Sequence, residues 1–123
     1  MPYLDNRVYD NGLTVLDTEA NAIHICSSEP ATYSDATTTL TLGNATGVTV
    51  GAPADRSGGG REVVVGAAAN GNVTADGTAT HYALVDTVNL RLLAASALTA
   101  SQVVTHGNTF TLASFTIGIP DPV

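Results

Sequence analysis

The chain has 123 residues and a mass of 12.4 kDa, with four arginines, no lysine and 11 acidic residues, for a formal net charge of −7. That length fits one domain whose core folds without staples. The acidic balance disfavours nucleic acids and anionic membranes as partners, because their phosphates would repel it. One cysteine, Cys26, rules out an internal disulfide framework and a multi-cysteine zinc site, and the lack of lysine removes Schiff-base chemistry and a phosphate-loop lysine.

Charged residues form only 12% of the sequence, about half the share of an ordinary soluble domain, and Thr, Ala and Gly fill the gap. Such a composition suits β-strands and broad packed contacts. The N-terminal residues lack an apolar run behind a basic cap, so no secretory signal is expected, and the long charge-free stretch from Leu92 to Pro120 is too rich in Thr, Ser, Gln and Asn to cross a membrane as a helix. The expected site of synthesis is therefore a cytoplasm.

Between Asp10 and Ala20 the apolar residues Leu13, Leu16 and Ala20 recur at helical spacing, predicting a short amphipathic helix with Asp10 as its cap. Gly12 weakens its first turn, so packing must supply most of its stability. Ala22–Cys26 reads as a strand ended by Ser27-Ser28-Glu29-Pro30. A helical turn is expected at Tyr33–Thr38, then extended Leu40–Leu42, a turn at Gly43–Gly47, and a further strand at Val48–Val50. Gly51–Gly60 reads as a surface loop.

The second half predicts strands at Arg61–Ala67, Asn72–Ala75, Thr78–Asp86, Leu90–Ala95, Gln102–Thr105 and Thr109–Ile119. Asn70-Gly71 and Asp76-Gly77 are hairpin dipeptides. Leu90–Leu98 also fits helical spacing, but its strand neighbours decide for a strand. Many short strands at near-regular spacing predict a mainly β chain, a single β-sandwich or jelly-roll-like barrel spanning 1–123 with a short N-terminal helix. The segments 1–8 and 119–123 carry little pattern of their own and are candidates for extended arms that order on a neighbouring subunit.

Reactive constellations are sparse. His24, His81 and His106 lack any short ligand spacing, so separate hydrogen-bonded histidines are expected in place of a shared metal, and no metal or cofactor is assigned. The carboxylates are scattered without a catalytic spacing. Cys26 ends an apolar strand with no cationic neighbour in sequence, the setting of a buried structural thiol. Ser57 in Arg56-Ser57-Gly58-Gly59-Gly60 lacks the order of a nucleophile elbow, and these glycines lack the Lys of a phosphate loop. The sequons at Asn44 and Asn72 carry little meaning without a secretory signal. No catalytic residue is assigned, and the chain is expected not to be an enzyme; a metal-dependent cupin-like enzyme built on the three histidines is the enzymatic alternative. With four Tyr, two Phe and no Trp, a sugar-stacking platform would have to come from Tyr3, Tyr9, Tyr33 and Tyr82.

The runs Tyr9–Asn21 and Ile23–Pro30, with Gly59-Gly60-Arg61-Glu62-Val63 and Gly77–Asp86, give the chain its most distinctive sequence. Together they resemble small structural proteins of tailed bacteriophages and prophages, over most of the chain. The resemblance implies a virion component, in first place a capsid decoration (cement) protein on the head surface. Its implied partners are the major capsid protein and copies of itself in a homotrimer, with no nucleic acid and no membrane. A tail, neck or baseplate component is the alternative within virions, and a saccharide-binding adhesin module the alternative of another class. The resemblance assigns no functional residues.

Overall fold

A computed structural model of the chain describes residues 3–4, 12–57 and 61–119. Two antiparallel sheets make up most of it. The strands are β1 (Tyr3–Leu4), β2 (Ala22–Cys26), β3 (Thr41–Thr46), β4 (Ala54–Asp55), β5 (Arg61–Val65), β6 (Ala68–Val73), β7 (Gly77–Asp86), β8 (Arg91–Val104), β9 (Thr109–Leu112) and β10 (Phe115–Ile119). The larger sheet runs β1-β8-β7-β2-β3-β6-β9 and curls into a half-barrel, and the smaller one runs β10-β5-β4. The expectation of a mainly β chain with a short N-terminal helix holds.

The core lies between the sheets. Ile23, Ile25, Leu84 and Leu93 project from the large sheet and meet Val63, Val65 and Ile117 from the small one. Helix α1 (Thr14–Glu19) closes one side with Leu13 and Leu16, two of the residues whose spacing predicted it. The helix starts three residues later than predicted, with Leu13 at the cap position in place of Asp10. Gly12 takes the left-handed φ of +70°, which no helix accommodates, and Leu13 stands at the N-cap without a side-chain cap. The predicted cap, Asp10, lies outside the described residues. Every residue of β2 is buried, because β2 is paired on both sides, by β3 and β7, and its outer face is covered as well. That cover is the segment before β3, where Tyr33, Ala36 and Leu40 pack over Ala22, Cys26, Ala83, Val85, Leu92 and Ala95. It contains a π-helical turn, Asp35–Thr39, overlapping the helical turn expected at Tyr33–Thr38.

Five expectations are corrected. Asp76-Gly77 is not a hairpin turn: β6 and β7, which it connects, are separated in the sheet by β3 and β2. Gly43–Gly47 is not a turn: β3 runs through to Thr46, and the chain turns only at Gly47, where φ is +71°. Gly43 sits opposite both Ile25 and Val73, where the Asn72 carbonyl and the Phe110 ring crowd its Cα, so the glycine serves close packing. Val48–Val50 is reduced to one bridge between Val50 and Val65, while the expected loop after it contributes β4. Asn70-Gly71 is not a hairpin turn but lies at an irregularity inside β6, with Asn70 at φ +58° and the Phe110 ring covering Gly71.

The last correction concerns strand lengths. The predicted pair Leu90–Ala95 and Gln102–Thr105 is the single strand β8, and Thr109–Ile119 is two strands. In β8, Ala97 pairs with His81 and Gln102 with Ala79, so Leu98 to Ser101 bulge opposite Thr80 alone. After Leu112 the apolar alternation slips by one residue, from Phe110 and Leu112 to Phe115 and Ile117, and the chain crosses to the small sheet through Ala113-Ser114. Of the two candidate arms, Tyr3–Leu4 pairs with Ala95 and Ala94, and Ile119 ends β10 opposite Arg61. Their remaining residues lie outside the described ones.

Candidate functional site: a groove, a neutral face and an apolar turn

The sequence-predicted groups are dispersed by the fold. His24, in β2, is 8% exposed, and its Nδ1 lies 2.8 Å from Thr41 Oγ1; burial holds its pKa below the ordinary 6.5. His81, in β7, has Nδ1 2.9 Å from Thr80 Oγ1. His106 follows β8 on the surface, where its backbone N–H donates to Asp76 Oδ1 at 2.8 Å. Among the described residues no three His, Cys, Asp or Glu side chains are grouped to hold a metal. Cys26 is fully buried with Sγ 3.8 Å from the Ala36 carbonyl, and burial pushes its thiol up to about 12, so it stays protonated and unreactive at neutral pH. Ser57 is exposed beside 58–60, which lie outside the described residues. Tyr82 lies in the core cluster and Tyr33 packs over the opposite face of the sheet, so these two rings share no platform; the side chains of Tyr3 and Tyr9 are outside the described residues.

Three surface features stand out instead. The first is a groove of about 390 Å³ where the curled sheet fails to close. Its walls are the β8 bulge, with Leu98 and Gln102, and the β9–β10 crossover, with Leu112, Ser114 and Phe115. Tyr82 and Phe115 lie against each other here, ring centroids 4.4 Å apart and planes tilted by 43°. Gln102 Nε2 donates to the Thr111 carbonyl at 3.3 Å, a side-chain bridge between strands near opposite ends of the sheet. Among the described residues no charged side chain lines the groove.

The second feature is the open half of the outer sheet face. One row crosses the sheet as Ala95, Ala83, His24, Asn44, Asn72 and Thr109. It is buried at the alanine end and exposed at Asn72 and Thr109. Strands β3, β6 and β9, which carry its open end, contain no Asp, Glu, Lys or Arg. The two sequon asparagines are thus cross-strand neighbours on this face.

The third is the turn Thr87–Leu90 between β7 and β8. It presents Val88 at 79% exposure and Leu90 at 65%, the latter with a left-handed φ of +57°. A γ-branched residue rarely adopts that conformation. Asp86 holds the turn. Its buried carboxylate accepts from Val88 N at 3.0 Å, Asn89 N at 3.2 Å and Asn89 Nδ2 at 2.8 Å. Burial alone would raise its pKa, but these hydrogen bonds and Arg91 outweigh it and hold the group below its ordinary value. Asn21, at the end of α1, staples the turn from the side, donating to Thr87 Oγ1 at 2.9 Å and accepting from Thr87 N at 3.1 Å. The sequence places a turn between the strands ending at Asp86 and starting at Leu90, but the apolar pair Val88 and Leu90 flanking Asn89 was given no role there. No family model matches this chain, and no curated protein or solved structure is significantly similar to it.

Proposed function

We propose that this chain is a non-enzymatic structural protein of a virion, a capsid decoration protein that binds the major capsid protein and further copies of itself. The sequence resemblance supplies the class. The observation that carries the reading is the neutral sheet end, in which three adjacent strands without a charged residue finish in the edge strand β9. Soluble monomers usually guard such an edge with charge, proline or a covering loop. The centres of protein–protein interfaces, by contrast, are poor in charge and tolerate small polar groups. A Thr- and Asn-rich face on a stiff sheet suits burial against a protein shell.

Electron microscopy of the source particle tests this. Density for the chain on the head surface is the expected result, and its absence from the head rejects the decoration role. Density on the tail, neck or baseplate transfers the protein to the alternative virion position. On isolated heads stripped of this protein, the wild-type chain rebinds, and Asn72→Glu, which puts a charge in the centre of the open face, does not.

A further inference from the structure

The described residues form an apolar projection and a recess with no charged side chain in its lining, and among them neither is filled. The projection is the β7–β8 turn with Val88 and Leu90, and the recess is the groove over Tyr82 and Phe115. They lie toward opposite ends of one hairpin. Tyr82 is four residues along β7 from Asp86, roughly 14 Å at the rise of a strand, and the bulge that walls the groove lies farther still from the turn. One copy therefore cannot dock its own turn in its own groove.

We infer that Val88 and Leu90 of one copy seat in the Tyr82–Phe115 groove of the next, in a head-to-tail contact repeated through the assembly. This deepens the reading that the chain associates with its own copies, and it requires no capsid. Chemistry pairs the two surfaces. Two aliphatic side chains meet a groove with aromatic and aliphatic walls, a hydroxyl and amide rim and, among its described residues, no charge to desolvate. The turn is already rigid, because Asp86 and Asn21 bond its backbone, so docking orders little further chain. Leu90 occupies a strained backbone position while exposed, a combination that contributes nothing to the isolated chain and that a binding anchor explains. A stable contact needs roughly 800 Å² from each partner. The turn alone is too small for that, but the groove borders β9 through Leu112 and the Gln102–Thr111 bond, so the next copy also covers the neutral edge.

A contact that is not self-reciprocal closes into a ring or grows into a filament. That property makes the inference testable by mixing. In sedimentation velocity on the full chain, the wild type is expected to form species larger than dimers. Leu90→Asp on the turn and Ala113→Glu on the groove wall should each weaken association by roughly 30-fold or more. Both positions are exposed, and Asp tolerates the left-handed conformation better than Leu, so both variants should keep the wild-type circular dichroism. If Ala113→Glu fails to fold, Ala100→Glu on the opposite wall replaces it. Mixed in equal amounts, the two variants retain one intact turn and one intact groove and should yield a dimer and nothing larger. A monomeric wild type, variants that assemble like the wild type, or a mixture that stays monomeric would each overturn the inference. Rebinding to stripped heads by a chain that never self-associates would sink the inference alone; faithful self-assembly by a chain that ignores heads would sink the capsid reading alone.

Discussion

The two sheets finish in opposite ways. On the small sheet, the outermost strand β4 carries Asp55, whose carboxylate takes a hydrogen bond from Arg61 Nη1 at 2.6 Å, and Glu62 stands beside them on β5. Arg61 also donates to the Pro53 carbonyl at 3.1 Å, tying down the loop that leads into that edge. On the large sheet, β9 reads Thr-Phe-Thr-Leu, with Phe110 and Leu112 turned into the core, Thr109 and Thr111 turned out, and no charge. Side-chain exposures of 57% and 95% for Arg61 and Asp55 mean that their pair adds little to folding. Its physical effect is to hold water at that edge and oppose the docking of another strand. Charge thus marks the β4 edge, where strand addition would be harmful, and is absent from β9, where our proposal puts a partner.

The contrast can be broken at several points. Phe110 is the side chain through which the neutral end is anchored, because its ring fills the hollow left by Gly43 and Gly71. Phe110→Ala should cost about 3–5 kcal/mol in urea unfolding and release β9. Gly71→Ala attacks the same contact from the other side, since an added Cβ would fall inside that ring; about 1–3 kcal/mol is expected.

Next comes acid. His24 is the titratable member of the outer row, and its folded pKa is below 6.5, so as the pH falls through 6.5 the unfolded chain takes up a proton that the folded chain still refuses. Thermal stability should therefore decline from neutral pH downward, and His24→Gln should flatten that decline. Asp86 contributes in the same direction at lower pH. Its folded pKa lies below the ordinary 3.8, so its stabilisation is present above that value and is lost as the pH falls through the folded one. The smallest effect is at the charged edge. Arg61→Ala should change stability in urea unfolding by less than about 1 kcal/mol, because the ion pair it breaks is exposed.

Much of the fold was legible because alternation and helical spacing are local properties. Ala22–Cys26, Arg61–Val65 and Thr78–Asp86 stand close to where their patterns place them, and Leu13 and Leu16 face the core as predicted. The failures share one cause. Gly43, Asn70-Gly71 and Gly47 look alike in sequence, yet only Gly47 turns the chain; what separates them is the ring of Phe110, nearly 40 residues or more away in sequence. The break at Ala113-Ser114 was readable in the slipped alternation, but its destination, a second sheet, was not. Of the surface features, the neutral end was visible as low charge, whereas the groove depends on how far the sheet curls, which no local pattern encodes.

Cys26 has a practical consequence. Its sulfur sits at the centre of the sheet, sealed beneath the segment around Ala36, and its proton is held until about pH 12. A thiol reagent can modify it only during moments when β2 is stripped of its cover. The pace of labelling is then a stopwatch on those openings, readable in the isolated chain and again in any assembly, with the ratio of the two rates giving what assembly adds to the protein's persistence.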